Sequence, residues 1–128
     1  MSLMIPPAAP EEKQARTWGM LCHLAGLAGC FAPWIAHVAG PLIVWLLKRN
    51  DSAYIDTEGK ESLNFQLSLA LYSVAGSILL ALTVVGIFLI PFFLWTLYVL
   101  NVICVIFAAI QSSGGQPFRY PLIIRFLK

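Results

Sequence analysis

The sequence LNFQLSLALYSVAGSILLALTV (residues 63–84) decides the fold class, because it is a long, mostly apolar run without a charged side chain. The uncharged region around it extends from residue 62 to residue 118, and a second one covers residues 17–47. An uncharged apolar run of about 18 residues or more is typical of a helix that crosses a bilayer. Both regions exceed that length, so the sequence predicts an all-α, polytopic integral membrane bundle.

The composition agrees with this prediction. Hydrophobic residues make up 59% of the 128-residue chain and charged residues 11%, against about 45–50% and about 25% in a soluble domain. The formal net charge is only +2, which is too small to build the basic surface of a nucleic-acid-binding protein. The length allows one domain, and we expect residues 16–128 to form it in a lipid bilayer.

The longer uncharged region predicts two helical segments, residues 62–84 and 87–111. Each has the length of a spanning helix. Two to five residues are enough to reverse two antiparallel helices, so Thr83–Gly86 is the expected turn between them.

The shorter uncharged region predicts two short segments, about 17–32 and 38–48. A single helix of about 30 residues would be about 45 Å long, whereas the hydrocarbon core is about 30 Å thick. Pro33 and the pair Gly40–Pro41 also interrupt the run. The two short segments either cross the bilayer in a tilted form or re-enter from one side.

The distribution of Lys and Arg favours four segments over three. With four, the N-terminus, the loop 48–62 and the C-terminus share one face, and all eight Lys and Arg lie there. With three, Lys13 and Arg16 move to the opposite face. The positive-inside rule therefore predicts a protein of the bacterial inner membrane with both termini in the cytoplasm.

The two ends of the chain are expected outside the hydrocarbon core. We expect residues 1–15 to be a disordered tail, and residues 117–128 to lie in the headgroup region, because they mix aromatic, apolar and basic side chains. Aromatic and basic residues anchor a protein at the membrane interface. The predicted anchors are Trp18, Lys48, Arg49, Arg119, Tyr120 and Arg125.

Polar residues inside the apolar regions are the candidate functional residues. Glu61, Asn64, Ser68 and Tyr72 follow one another at spacings of three or four residues, so they share one helical face. Such a face either lines a polar groove or holds neighbouring helices together through hydrogen bonds. Asn101 lies near the middle of the last segment, where an amide needs a partner.

The sequence contains no recognisable catalytic or metal site. The three cysteines and two histidines do not have zinc-ligand spacing. A Cys22–His23 nucleophile pair has no recognisable third partner. Proton-coupled transport normally requires a carboxylate within the membrane, and the predicted spans contain none. We therefore expect a protein that is not an enzyme and that holds no cofactor or metal.

Four motifs occur in order along residues 16–128. They are WGMLCHL (18–24), GPLIVWLLKRND (40–51), DTEGKESLNFQ (56–66) and RYPLIIR (119–125). Together they resemble a family of small bacterial membrane proteins of unknown function. That family is similar to the twenty-kilodalton component of the chloroplast inner-envelope import translocon (Tic).

The resemblance implies a four-helix membrane protein, and its plant relatives are associated with protein import. His23, Lys60, Glu61, Asn64 and Gln66 enter as motif positions without a transferable catalytic role. Glu58 stands where the motif has His or another polar residue, so no chemical role of such a His carries over.

Two functions remain open from the sequence. The first is a non-enzymatic scaffold or accessory subunit for other membrane proteins, since catalytic groups are missing and the outer connections are short. The second is an oligomeric pore or carrier for a small solute or an extended peptide, lined by the polar face and Asn101. The expected partners are the lipid bilayer and other membrane proteins or further copies of the chain, and nucleic acid is not expected.

Overall fold

The computed structural model describes residues 9–30 and 35–128, and this part of the chain is helical without a strand. The helices are α1 (Pro10–Leu24), α2 (Ala36–Lys48), α3 (Ala53–Ala81) and α4 (Val84–Ser113), and a 3-10 helix (Ala25–Cys30) continues α1. Residues 116–128 form a non-helical segment, the C-terminal strap.

Two of the described helices are long and apolar enough to cross a membrane, whereas the sequence had predicted four hydrophobic segments, of which the first two are short and either cross or re-enter. Helices α3 and α4 have 29 and 30 residues, which corresponds to about 45 Å at a rise of about 1.5 Å per residue. Only 28% and 22% of their most apolar windows are buried, whereas the core helix of a soluble protein is mostly buried.

The first two predicted segments are not long enough to span, because α1 and α2 are short helices. They have 15 and 13 residues, about 20 Å each, and the hydrocarbon core is about 30 Å thick. The predicted tail also ends earlier than expected, since residues 10–15 belong to α1. The rest of that tail, residues 1–8, lies outside the described residues.

Helices α1 and α2 cover only one half of the α3–α4 pair. At Gly26, a Cβ would lie within 3.5 Å of both Gln66 on α3 and Val105 on α4. Further along, the hydroxyl of Tyr98 donates a hydrogen bond to Cys30 Sγ at 3.2 Å. Beyond these contacts α3 and α4 continue as an apolar hairpin, on which Leu82 and Val84 are 76% and 77% exposed.

A capping hydrogen bond fixes the turn of this hairpin. The turn consists of Leu82 and Thr83, and Thr83 Oγ1 accepts a hydrogen bond from the Gly86 amide at 2.9 Å. Such a bond satisfies one of the amides that a helix start leaves unpaired. A Cβ on Gly86 would lie 2.1 Å from the Leu80 carbonyl oxygen, so only glycine fits there.

The packed half of the bundle has an unusually polar interior. Its apolar core consists of Phe65, Val105, Ala108 and Tyr120, and it is small. Around it, among residues 9–30 and 35–128, ten polar or charged side chains are buried. They are His23, His37, Glu58, Glu61, Ser62, Asn64, Gln66, Ser68, Asn101 and Ser112.

Gly59 provides a test of how α2 packs on α3. The Trp45 ring lies against Gly59, so that a Cβ there would come within 2.3 Å of Cδ1, and Trp45 is held by a 2.8 Å hydrogen bond to Asp56. We expect Gly59→Ala to lower the free energy of unfolding in detergent by about 1–3 kcal/mol, since overpacking outweighs the gain in helix propensity. Gly114→Ala is the control, because its nearest neighbour would be 3.5 Å away. Equal stability of the two variants would contradict this packing.

Candidate functional site

The C-terminal strap folds back along the polar face of α3. It runs outward from the level of Glu58, turns at Pro121 and Leu122, and returns to the level of Lys60. Leu122 at the turn has φ +56° and is 90% exposed. Both legs of the strap contact the face that carries Glu61, Asn64, Ser68 and Tyr72.

Two side chains of this face each bond both backbone groups of one strap residue. Asn64 Oδ1 accepts from the Leu127 amide at 2.8 Å, and Asn64 Nδ2 donates to the Leu127 carbonyl at 2.9 Å. Ser68 Oγ accepts from the Ile124 amide at 2.8 Å and donates to the Ile124 carbonyl at 3.2 Å. Asn64 and Ser68 therefore bind the strap through its backbone.

The other two side chains complete the contact at its ends. Tyr72 donates its hydroxyl hydrogen to the Leu122 carbonyl at 2.6 Å. Glu61 Oε1 accepts from the Tyr120 amide at 2.7 Å and from the Arg125 guanidinium at 2.8 Å. This arrangement explains the spacing of the polar residues on α3, because a non-helical backbone beside a membrane helix needs protein partners.

A buried trio joins the strap to α1. His23 Nε2 lies 2.5 Å from Glu58 Oε2, and His23 Nδ1 lies 2.8 Å from the Tyr120 hydroxyl. Glu58 Oε1 also accepts from the Phe118 amide at 3.3 Å. Neutral His23 with its proton on Nε2 satisfies both contacts, since it then donates to the carboxylate and accepts from the phenol.

Burial raises the pKa of two groups at this centre, Tyr120 and Cys22. Burial, aided by Cys104 and the carboxylates of Glu58 and Glu61, raises the pKa of Tyr120 well above its usual value. Burial and then Glu58 raise the pKa of the Cys22 thiol to about 12. Because the thiolate is the reactive form of cysteine, Cys22 is a poor nucleophile at neutral pH.

A second polar cluster lies on a different face, at the inner end of a cavity of about 790 Å³ between α3 and α4. Gln66 Nε2 donates to Asn101 Oδ1 at 2.8 Å, and Asn101 Nδ2 lies 3.5 Å from His37 Nδ1. The cavity, which we call the α3–α4 groove, is otherwise walled mainly by apolar side chains of the two helices.

The structure thus divides the predicted site residues into two groups. His23, Glu61, Asn64, Ser68 and Tyr72 hold the strap, whereas Gln66 and Asn101 line the groove. The last candidate, Lys60, pairs with Asp56 Oδ2 at 3.0 Å and donates to the Lys128 carbonyl at 3.2 Å.

Among the predicted interface anchors, Tyr120 is placed differently from the expectation. It is 2% exposed and stacks on Phe65 at a centroid distance of 4.0 Å, because its ring fills the apolar core and its hydroxyl finds a buried partner.

The other anchors lie nearer the surface. Lys48 Nζ lies 4.5 Å from the centre of the Trp18 ring, and Arg49 lies over the Trp45 ring. Arg119 is exposed, whereas Arg125 pairs with Glu61.

Sequence reasoning had not selected Glu58 or His37 as site residues. Glu58 is nevertheless fully buried. A buried partner for His23 can be foreseen only when α1 is known to pack on α3. Within residues 9–30 and 35–128, no group of three or more His, Cys, Asp or Glu side chains could hold a metal ion.

The fold and its exposed apolar hairpin define a small, all-helical, membrane-associated protein. Residues 14–127 match the model of the magnetosome magnetite crystal formation protein family, so the chain belongs to that family. No curated protein and no solved structure matches the chain. The finding supports the predicted small bacterial membrane family, and the predicted similarity to the import translocon stays a prediction.

Removing Asn64 tests the docking of the strap. We expect Asn64→Leu to destabilise the docked strap by about 2 kcal/mol, because two hydrogen bonds are lost and the backbone groups of Leu127 are left without partners. Trypsin should then cleave after Arg125 faster than in the wild type in nanodiscs. The control is Asn50→Leu, the same substitution at an exposed position before α3. Equal cleavage of the two variants would show that Asn64 does not hold the strap.

Tyr120→Phe tests the buried trio and its pH dependence. Loss of the bond to His23 should lower the free energy of unfolding by about 1–2 kcal/mol, and Tyr98→Phe, at an exposed tyrosine, should cost less. Because the folded state raises the pKa of Tyr120, its contribution is fully present below the unfolded value of about 10 and is lost at higher pH. The stability difference between wild type and Tyr120→Phe should therefore be constant below about pH 10 and shrink above it. A difference that grows with pH would contradict the assignment.

Proposed function

We propose that this chain is a non-enzymatic membrane protein that organises other membrane proteins where a magnetite crystal forms. The chain belongs to the magnetosome magnetite crystal formation protein family. Its proposed contribution to crystal formation is indirect. It acts as a scaffold or accessory subunit and does not bind the mineral ions itself.

The observation that carries the proposal is the separation of charge along the bundle. Glu11, Glu12 and Asp51 line one depression together with Gly115 at the end of α4. The charged residues of the strap lie at the same end, where Arg125 pairs with Glu61. The opposite end, at the α3–α4 turn, has no charged residue between positions 62 and 118.

This separation supports an indirect role in mineral formation. Iron ions in proteins are held by carboxylate, imidazole or thiolate ligands. By the positive-inside rule we place the charged end and both termini in the cytoplasm, with α1 and α2 re-entering from that side. The end that we place away from the cytoplasm then offers no carboxylate to iron, which supports an action through other proteins.

An aromatic surface on α4 is the proposed contact with such a protein. Phe88 and Phe92 follow at a spacing of four residues, so they share one face of the helix, and they are 73% and 71% exposed. Aromatic side chains are enriched at protein interfaces. Within a bilayer they also face lipid, so the test has to distinguish a protein contact from a lipid contact.

Site-specific photocrosslinking in native membranes provides this test. A benzoylphenylalanine at position 92 should form a crosslink to a different membrane protein, identified by mass spectrometry after gentle extraction. The same group at Ile87, which is 52% exposed and lies about 140° around α4 from Phe92, is the matched control. Recovery of only the uncrosslinked chain from the position 92 variant would count against the scaffold proposal.

The α3–α4 groove favours the second candidate function, an oligomeric pore or carrier. Gln66 and Asn101 are polar groups that face this groove, and copies of the chain joined along it would enclose a path. Asn64, Ser68 and Tyr72 already bond the strap, which argues against a path along that face. Flux through proteoliposomes that is lost in Asn101→Leu and kept in Asn64→Leu would favour this candidate.

A further inference from the structure

The α3–α4 groove has the features of a ligand site. Its volume of about 790 Å³ lies within the range of about 300–1,000 Å³ that is typical of small-molecule pockets. Its walls are mainly apolar, with Ala70 and Ser77 on α3 facing Trp95 on α4. It contains no charged residue among those that line it, so an ionised head group would find no counter-charge.

The inner end of the groove carries three buried polar side chains. His37, Gln66 and Asn101 are 7%, 3% and 4% exposed, and all three line the groove. His37 Nδ1 lies 2.5 Å from the Gly26 carbonyl oxygen. Since that oxygen can only accept, Nδ1 carries the proton, and Nε2 of the neutral ring is left as an acceptor.

The amides of Asn101 and Gln66 keep hydrogen-bonding capacity at the groove, whereas the Cδ2–Nε2 edge of His37 lies against Gly29. Both His37 Nδ1 and Asn101 Nδ2 are donors, so their 3.5 Å contact is not a hydrogen bond and the Asn101 amide keeps its hydrogens. Within residues 9–30 and 35–128, Gln66 makes its side-chain hydrogen bond through Nε2, and no protein group bonds its Oε1. Leaving such groups without a partner in an apolar setting is costly.

The position of the groove indicates where a ligand would come from. It lies between the two helices that can cross a membrane, beside apolar side chains that are exposed on both. A molecule dissolved in the bilayer can enter it sideways without passing through water. The polar cluster at the end of the apolar groove both donates and accepts hydrogen bonds. It therefore matches a head group that also donates and accepts hydrogen bonds.

We propose that the α3–α4 groove binds a membrane-soluble amphiphile with a compact, uncharged, hydroxyl-bearing head and a hydrocarbon tail. The hydroxyl accepts from the Asn101 amide and donates to Gln66 Oε1. The tail lies along α3 past Ala70 and Ser77 and against Trp95. An acyl alcohol and an isoprenoid alcohol share this chemistry, and the experiment separates them.

Native mass spectrometry of the full chain in detergent provides the test, with hexadecanol, geranylgeraniol and palmitate as probes. Hexadecanol and palmitate have the same tail length and differ in the charge of the head, whereas the two alcohols differ in the tail. We expect a saturable one-to-one adduct with at least one alcohol and at least tenfold weaker binding of palmitate. The preferred alcohol identifies the tail. Equal binding of palmitate, or no saturable adduct with either alcohol, would overturn the proposal.

Two variants locate the adduct. Asn101→Leu should weaken alcohol binding about tenfold, which corresponds to the loss of one buried hydrogen bond. Ala70→Leu should fill the groove and abolish binding, whereas the matched Ala75→Leu on the exposed face of α3 should bind as the wild type does. The Ala70 and Ala75 pair keeps the test valid even when Asn101→Leu does not fold. Equal binding by these two alanine variants, or a second polypeptide crosslinked within the groove, would contradict the proposal.

Discussion

A peptide group beside a membrane helix cannot be left without a hydrogen-bond partner, and the rest of this structure depends on that constraint. A helix satisfies its own backbone, but the C-terminal strap does not. The polar side chains in the first half of α3 supply the hydrogen-bond partners that the strap backbone lacks. Asn64 and Ser68 each bond both the amide and the carbonyl of one strap residue, which replaces the bonds that a helix would have made internally.

The same face of α3 also joins the strap to the rest of the bundle. Glu58 and Tyr120 meet at His23, so that α1, α3 and the strap share one buried hydrogen-bonded centre. Because each group there has a partner, the polar interior is compatible with burial. The half of the bundle that lies beyond this centre needs no such network, since α3 and α4 are apolar and satisfy their own backbones.

The sequence predicted the parts of this arrangement that depend on periodicity. The lengths of the uncharged runs indicated α3 and α4, and the spacing of Glu61, Asn64, Ser68 and Tyr72 placed these residues on one face. What that face binds could not be predicted, because a short segment with Arg119, Tyr120 and Arg125 is equally typical of an interfacial peptide. The contact between His23 and Tyr120 joins residues 97 positions apart, so no local sequence pattern could predict it. The position of the 3-10 helix that follows α1 also depends on packing, through Gly26 against Gln66.

Amide hydrogen exchange of the wild-type protein in nanodiscs tests the docking of the strap most directly. The account predicts slow exchange at the amides of Tyr120, Ile124 and Leu127, which bond Glu61, Ser68 and Asn64. The amide of the exposed Arg119 should exchange much faster. Exchange of all four amides at the rate of an unstructured peptide would contradict the claim that the polar face of α3 holds the strap.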